Sequence, residues 1–243
     1  MRGLYIALIP NGDPPPVTVS QATTASDAYA RARFNMVESQ IRTNRVGDER
    51  LLAALSDLPR EIFVPAALAG VAYADKSLPI GGGRFLSEPL FLARLLQEAS
   101  PTGTAKALVV GAGTGYSAAL LSRLCASVVA LECDSGLATA ARANLARLGC
   151  AEVKVEIGPL AAGWPAGAPY GLILIDGVVC GLPDVFAGQM AEGGCLVTIE
   201  SRDGRCGSGM LYRKIGGALS GRVLFDAVGP FLPGFEPQPA FAL

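Results

Sequence analysis

The sequence predicts an α/β fold, in which a doubly wound, mostly parallel sheet of seven strands follows a helical N-terminal portion. Short apolar segments alternate with longer amphipathic ones from Ala105 onward, and this alternation indicates parallel strands joined by helices. A glycine-rich turn follows the first apolar segment. Near the C-terminus, two β-type segments are separated only by Gly216-Gly217, which indicates a hairpin and an antiparallel edge to the sheet.

Composition excludes several classes of protein. The chain has 243 residues and a formal net charge of −1, and 51% of its residues are hydrophobic, too many for a disordered chain. The balanced charge argues against a nucleic-acid-binding protein, and no apolar run reaches the length of a membrane span. The six cysteines form no C-x-x-C pair, so neither zinc site nor redox dithiol is indicated. We expect a cytoplasmic protein without metal, nucleic-acid or membrane partners.

Three segments differ in composition. Residues 1–25 contain Asn11-Gly12-Asp13 followed by a proline run and a Ser/Thr/Ala tract, and we expect a flexible extension. Residues 26–100 are predicted to form a helical portion that covers the binding cleft. Residues 101–243 are predicted to form a Rossmann-like core. The length fits one large domain with an appendage.

Three helices are predicted before the core. The first spans residues 26–40 and begins at a Ser or Asp cap, and the second spans residues 48–58. A glycine-rich loop is predicted for residues 73–85. Ser87 and Pro89 are start signals for a third helix that reaches about residue 99.

The core is predicted to alternate between strands and helices. The strands expected are residues 107–111, 127–132, 153–157, 172–176, 195–200, 210–215 and 222–228. The helices expected between them are residues 117–125, 135–148 and 182–191. Strands alternating with helices predict right-handed crossovers and helices on both faces of the sheet.

The strongest motif is the segment Ala107-Leu-Val-Val-Gly111-Ala-Gly113-Thr-Gly115-Tyr116-Ser117. Its glycines allow a sharp turn and a close approach of the backbone to a ligand. The G-x-G-x-G spacing differs from the G-x-G-x-x-G dinucleotide fingerprint and favours S-adenosylmethionine over NAD. The residues expected to contact this cofactor are Gly111, Ala112, Gly113, Thr114, Gly115 and Tyr116.

An acidic residue ends the next predicted strand. Glu132 stands where a carboxylate accepts both hydroxyls of a ribose, and its neighbour Cys133 is expected beside the cofactor. The alternative is that the glycines only make a tight turn and that Glu132 is a solvated strand end. The order of strand, turn, helix, strand and acid favours the cofactor site.

Other short segments complete a pattern along the chain. They are Leu52-Ala-Ala-Leu55, Pro59-Arg-Glu61, Phe63-Val64-Pro65, Ala72-Tyr73-Ala74-Asp75, Leu78-Pro79-Ile80-Gly81, Ser87-Glu88-Pro89, Gly163-Trp164-Pro165, Ala168-Pro169-Tyr170 and Gly193-Gly194. Together with the glycine-rich turn, their order and spacing resemble the protein-L-isoaspartate O-methyltransferase family, a class I S-adenosylmethionine-dependent methyltransferase family, over roughly residues 35–235.

This resemblance implies methyl-esterification of the carboxylate of isoaspartyl residues in damaged proteins or peptides. Ser87 matches the family's serine beside that carboxylate, where its hydroxyl would orient the acceptor, although it could simply cap the following helix. The chain contains no histidine. A carboxylate is already ionised at neutral pH and needs no general base, so a carboxyl acceptor fits this chain better than a hydroxyl acceptor. The oligomeric state is left open.

The cofactor side departs from the family pattern at two places. Val109 stands where the family has an acid, and Gly158-Pro159-Leu160 replaces a Gly-Asp-Gly loop whose aspartate is expected to hold the adenine amino group. Pro159 and Leu160 are then expected to flank the adenine. These changes motivate one alternative, a non-catalytic module that has lost the cofactor.

The acceptor side also departs from the pattern. Arg84-Phe85-Leu86-Ser87-Glu88-Pro89 replaces Gln-Thr-Ile-Ser-Gln-Pro, and Asp176-Gly177-Val178 replaces Thr-Ala-Ala. Glu88 and Asp176 would repel a carboxylate acceptor unless Arg84 offsets them. Asp176, expected beside the cofactor, could cap a turn, bind a cation or act as a general base. A methyltransferase with a small-molecule acceptor, carboxylate or other, is therefore a second alternative.

Overall fold

The computed structural model describes residues 25–237. The extension expected for residues 1–25 lies outside this part except for Ala25, the first residue of a helix. Among the described residues, no helix combines the length and the apolar composition needed to cross a bilayer.

The first two predicted helices are present. Helix α1 (Ala25–Asn35) continues as a π-helical turn over Met36–Ile41 and a 3-10 turn over Arg42–Asn44, so the helical segment extends beyond its predicted end. Helix α2 (Glu49–Asp57) begins after Asp48, whose carboxylate accepts hydrogen bonds from two backbone amides of the first turn. Such a cap satisfies amides that have no partner inside the helix.

The predicted loop over residues 73–85 is wrong in its second half. Strands β1 (Leu78–Gly81) and β2 (Arg84–Leu86) pair as an antiparallel hairpin that forms a separate two-stranded sheet. Gly82 and Gly83, with φ of 56° and 69°, make the turn between them. The two strands contain only four and three residues, and their burial alternates. In a glycine-rich segment, such a short alternation is not recognisable in the sequence.

Helix α3 (Pro89–Ala99) starts where the sequence predicts it, with proline in its first turn. The expectation that Ser87 caps this helix is wrong. Glu88 occupies the cap position without a side-chain bond to the helix, and the hydroxyl of Ser87 is bonded to Asp176 instead.

The main sheet confirms the predicted seven strands. They are β3 (Lys106–Val110), β4 (Ser127–Glu132), β5 (Lys154–Ile157), β6 (Tyr170–Val179), β7 (Met190–Ser201), β8 (Gly207–Ile215) and β9 (Ala218–Ala227). Their order is β5-β4-β3-β6-β7-β8-β9, with the first five parallel and the last two antiparallel to their neighbours. The hairpin predicted through Gly216-Gly217 is the β8–β9 edge.

The helices between the strands are α4 (Tyr116–Ser122), α5 (Ser135–Arg147) and α6 (Val185–Gln189). The predicted helix over residues 182–191 is therefore too long. Met190 already belongs to β7, where it pairs with Tyr170 of β6. Pairing within the sheet therefore outweighs the local helical pattern at this position.

Both faces of the sheet are buried. Along β3, Ala107 and Val109 face the core beneath the N-terminal helices, whereas Leu108 and Val110 face a second core that contains Phe186. Among the aromatic residues of the second half of the chain, Phe235 stacks on Phe186, and Trp164 and Phe231 pack against the two cores; Phe241 lies outside the described residues. Continuous apolar strands are typical of a parallel sheet covered on both sides.

The strand order reverses between β3 and β6. The chain proceeds outward through β3, β4 and β5 and then crosses back to place β6 on the other side of β3. In open α/β sheets, ligands bind at the carboxyl ends of the strands beside such a reversal. The glycine-rich turn follows β3, so it lies at this position.

Candidate active site

The glycine-rich turn folds over the end of β4. The amides of Gly111 and Ala112 donate to the carbonyl of Leu131 at 2.9 and 3.0 Å. Gly111, Gly113 and Gly115 have φ of 82°, 56° and 101°, conformations that side chains rarely adopt. The turn therefore depends on these three glycines.

Glu132 is fully buried between this turn and the loop that follows β4. Its Oε2 accepts a hydrogen bond from the amide of Gly113 at 2.7 Å, and its Oε1 accepts from the amides of Cys133 and Asp134 at 2.8 and 3.1 Å. Backbone donors from two loops thus fix the carboxylate at the reversal of the strand order.

Arg84 from the β1–β2 hairpin is paired with this carboxylate. Its Nη1 lies 2.7 Å from both oxygens of Glu132, and its Nη2 donates to the carbonyl of Gly111 at 2.9 Å. The side chain of Arg84 is only 2% exposed. Arg84 therefore neutralises Glu132 in this structure, whereas the sequence suggests it as a partner of Glu88 or Asp176.

Two apolar side chains close the remaining space in front of the turn. A Cβ built on Gly113 would lie 2.7 Å from Cδ1 of Ile80, and one built on Gly111 would lie 3.0 Å from Cδ2 of Leu232. The cavity left between Arg84, Leu232 and the acceptor side measures about 20 Å³. That volume is enough for about one water molecule.

Ser87 and Asp176 meet on the acceptor side. The Ser87 hydroxyl donates to Oδ1 of Asp176 at 2.5 Å. Asp176 lies inside β6, in a bulge where the register with β7 shifts between Leu174 and Val178. The strand therefore continues past Asp176. Bulges redirect side chains, and the carboxylate of Asp176 is turned toward Ser87.

Glu88 lines the same small cavity as Ser87 and Asp176. Partial burial raises the pKa of its carboxyl group, and the nearby charge of Asp75 raises it further. The acceptor side therefore contains two carboxyl groups, as the sequence indicates.

Arg60 supports the segment that carries Ser87, and nothing in the sequence distinguishes it from a surface arginine. It is fully buried; its Nε donates to the carbonyl of Ala72 at 2.7 Å, and its Nη2 donates to the carbonyl of Ser87. Its guanidinium carbon lies 4.8 Å from the centre of the Tyr116 ring. Burial lowers the pKa of Arg60, and the neighbouring Tyr116 and Asp176 partly oppose that effect.

Tyr116 is buried beneath the turn. Its ring meets that of Phe63 edge-on at 5.3 Å. Burial raises the pKa of its hydroxyl group, while the charge of Arg60 acts in the opposite direction. Among the described residues, neither this hydroxyl nor Nη1 of Arg60 has a hydrogen-bond partner.

The other predicted site residues have different surroundings. The Thr114 hydroxyl donates to the carbonyl of Phe63 at 2.6 Å, which ties the turn to the N-terminal portion. Burial, and then the charge of Glu132, raise the pKa of the Cys133 thiol. Pro159 is exposed, whereas Leu160 is buried in the second core.

Comparison with known proteins shows which family this chain is similar to. Residues 31–217 match the model of the family described as protein-L-isoaspartate(D-aspartate) O-methyltransferase. A protein-L-isoaspartate O-methyltransferase of Methanoculleus marisnigri is 41% identical over 71% of this chain and 78% of its own length. One from Methylorubrum populi is 42% identical over 68% of this chain and 78% of its own length.

Solved structures agree in fold. A protein-L-isoaspartate O-methyltransferase structure covers 84% of this chain and 67% of its own, with a TM-score of 0.73 and 25% identity. A Plasmodium falciparum protein described as a beta-aspartate methyltransferase, in complex with S-adenosyl-L-homocysteine, covers 83% of this chain and 96% of its own. Its TM-score is 0.68 and its identity 18%, so this second likeness concerns the fold alone.

Proposed function

The chain belongs to the protein-L-isoaspartate(D-aspartate) O-methyltransferase family, and from that premise we propose which of its residues carry out the family's reaction. The family consists of S-adenosylmethionine-dependent enzymes that methylate the carboxylate of isoaspartyl residues. We assign the cofactor to the glycine-rich turn and Glu132, and the acceptor carboxylate to Ser87. The acceptor is an isoaspartyl polypeptide.

The residue types around the turn fit a nucleoside. Glycines at positive φ allow a ligand to approach the backbone, and the carboxylate of Glu132 is a suitable acceptor for two ribose hydroxyls. Cys133 and the exposed Pro159 lie on the loops that follow the neighbouring strands β4 and β5. Because Arg84 is bonded to both oxygens of Glu132, a ribose takes the place of this guanidinium.

When bound, S-adenosylmethionine would be held by the glycine-rich turn and Glu132 and would supply an activated sulfonium methyl group for esterification of a carboxylate. The chain's own task is to position the acceptor. The Ser87 hydroxyl donates a hydrogen bond to it, and Arg60 holds the carbonyl of Ser87 in place. No residue has to remove a proton, because the acceptor is already ionised.

One observation carries this assignment. The buried carboxylate of Glu132 is held by the amide of Gly113 at 2.7 Å, at the carboxyl end of β4 and beside the reversal of the strand order. Buried carboxylates with fixed positions are unusual. In nucleotide-binding α/β folds an acidic residue in this part of the sheet binds the ribose, which supports the assignment of the ribose to Glu132.

Calorimetric titration with S-adenosylhomocysteine tests the cofactor assignment. We expect saturable binding to the wild-type protein and at least about tenfold weaker binding to Glu132→Gln, because hydrogen bonds to a charged group contribute about 1.5–3 kcal/mol. Glu98→Gln, which removes the carboxylate of an exposed pair with Arg222, is the matched control. Circular dichroism checks that both variants fold. No binding at millimolar concentration would contradict the assignment.

Methyl transfer to a pair of peptides tests the acceptor. The two peptides share one sequence and contain either an isoaspartyl or an aspartyl residue. We expect base-labile methyl ester only on the isoaspartyl peptide, and loss of most of that activity in Ser87→Ala. Equal labelling of both peptides would contradict the acceptor assignment without affecting the cofactor assignment.

A second acceptor class is favoured by one specific observation. Asp176 accepts the hydrogen bond of Ser87 at 2.5 Å, and Glu88 lines the same cavity. Two carboxyl groups at this place would attract a cationic or neutral small molecule more readily than an anion. Methylation of such a molecule, with no activity on the isoaspartyl peptide, would establish this alternative.

A further inference from the structure

The carboxylate of Glu132 has no free place for a ribose in this structure. An ionised carboxylate has about four acceptor positions. Arg84 bonds to both oxygens, and the amides of Gly113, Cys133 and Asp134 bond to them as well, so five hydrogen bonds already share these positions. The three amides belong to the loops that would frame the cofactor, whereas Arg84 comes from the separate β1–β2 hairpin.

The same hairpin closes the space in front of the turn. Ile80 of β1 lies against Gly113, and Arg84 of β2 lies against Gly111 and bonds to its carbonyl. The neighbouring cavity on the acceptor side, which Arg84 also lines, measures about 20 Å³, far smaller than the roughly 300–1,000 Å³ of ordinary small-molecule sites. A nucleoside therefore enters only after the hairpin has moved.

We propose that Arg84 is an intramolecular competitor of the cofactor for Glu132 and thereby sets the cofactor affinity of this enzyme. In the free protein, the β1–β2 hairpin holds the guanidinium of Arg84 on the carboxylate. Binding of the nucleoside displaces Arg84 and moves the hairpin outward. This inference rests on the proposed function, since the competitor it names is the cofactor of that function.

Two features of the β1–β2 hairpin allow it to move. It pairs with no strand of the main sheet, and isolated two-stranded hairpins are only marginally stable. Gly81, Gly82 and Gly83 are exposed and have φ of 98°, 56° and 69°. Glycines impose the weakest restriction on backbone rotation, so the turn that leads into Arg84 can change its conformation.

The displaced guanidinium has other partners within reach. A buried charge that loses its partner is strongly unfavourable, so displacement of Arg84 needs a second carboxylate. Glu88 and Asp176 line the same small cavity as Arg84. Transfer of Arg84 toward them compensates its charge and reduces the negative charge that faces an acceptor carboxylate.

Arg84→Gln tests the competition by direct binding. Glutamine keeps an amide donor for Glu132 but removes the positive charge and the fork geometry. If the closed arrangement accounts for about nine-tenths of the free protein, removing it lowers the dissociation constant for S-adenosylhomocysteine about tenfold. Arg84→Lys retains the charge and is expected to bind nearly as weakly as the wild-type protein. Arg222→Gln, in the exposed pair with Glu98, is the matched control and is expected to bind like the wild-type protein.

Hydrogen–deuterium exchange gives a readout that does not depend on activity. We expect the amides of residues 78–86 to exchange faster in the wild-type protein when S-adenosylhomocysteine is bound, and faster in free Arg84→Gln than in the free wild-type protein. Slower exchange of this hairpin in the complex would overturn the inference.

The binding outcomes separate the two proposals. Equal affinity of the wild-type protein and Arg84→Gln would overturn the competition and leave the proposed function intact. Weaker binding to folded Arg84→Gln than to the wild-type protein would likewise overturn the competition alone, whereas absence of binding to both proteins would overturn both proposals. If Arg84→Gln fails to fold, the exchange of the wild-type hairpin with and without S-adenosylhomocysteine decides the matter.

Discussion

The hydroxyl of Ser87 donates a 2.5 Å hydrogen bond to the carboxylate of Asp176, a residue 89 positions away in the chain. The carboxylate of Asp176 thus occupies the side of Ser87 to which the acceptor carboxylate is assigned. An isoaspartyl carboxylate must therefore replace Asp176 as the acceptor of the Ser87 hydrogen bond or share that hydrogen bond with it. In doing so it approaches the carboxylate of Asp176, which has the same charge. We therefore expect the Ser87–Asp176 contact to influence which acceptor this chain methylates.

Asp176→Asn is expected to improve methylation of an isoaspartyl peptide. Two carboxylates about 4 Å apart repel each other by about 4 kcal/mol at an effective dielectric constant near 20, and asparagine keeps an acceptor for Ser87. We expect kcat/KM to rise about tenfold, equivalent to about 1.4 kcal/mol. Steady-state kinetics with an isoaspartyl peptide measures this change.

Ser87→Ala is the companion variant for that experiment, and it should lower kcat/KM in either background. A fall in kcat/KM in Asp176→Asn would show the opposite role for Asp176, that of a general base or cation binder. That result would support the small-molecule acceptor.

Glu88 makes folding stability depend on pH. Its carboxyl pKa is raised in the folded protein by partial burial and by Asp75, so the folded state retains this proton at a pH where the unfolded state has lost it. The resulting stability is fully present below the unfolded glutamate pKa of about 4.3 and is lost as the pH rises through the raised value. The free energy of unfolding of the wild-type protein should therefore fall relative to Glu88→Gln over that window.

Urea denaturation of both proteins between about pH 3.5 and 7 measures this difference. Asp75→Asn, which removes the charged neighbour but keeps an acceptor for the amide of Leu90, should reduce the pH dependence. A difference between the wild-type protein and Glu88→Gln that stays constant with pH, or that changes in the opposite direction, would show that Glu88 does not titrate in this way.

Ser117→Ala is expected to stabilise the protein. Ser117 is 1% exposed, and its hydroxyl has no hydrogen-bond partner among the residues that the structure describes. Removing a buried unsatisfied group, and gaining the higher helix propensity of alanine, should raise the free energy of unfolding by about 1 kcal/mol. Urea denaturation at pH 7 measures the change.

Ser122→Ala is the control on the same helix. The hydroxyl of Ser122 donates to the carbonyl of Ala119 at 2.8 Å, so its loss should leave stability nearly unchanged or slightly lower. Equal effects of the two substitutions would mean that helix propensity alone, and not the missing partner of Ser117, explains the gain.

The sequence determines the features whose signals are local. The turn through Gly111, Gly113 and Gly115 and the acid at Glu132 lie within one strand–turn–helix–strand unit, where glycine conformation and apolar periodicity act over short distances. The alternation of strands and helices likewise predicts the sheet, because a parallel sheet needs crossover helices. These features also carry the family resemblance.

Only the tertiary structure decides which distant side chains meet. Arg84 and Glu132 are 48 positions apart, and Ser87 and Asp176 are 89 positions apart. The packing of a short hairpin and a bulge in β6 bring these pairs together. No local pattern encodes such contacts, because the sequence does not distinguish a buried arginine from an exposed one, or an aspartate in a bulge from one in a regular strand. The sequence therefore specifies the residues of the site, and the packing of the chain around them decides that Glu132 is held by Arg84 and Ser87 by Asp176.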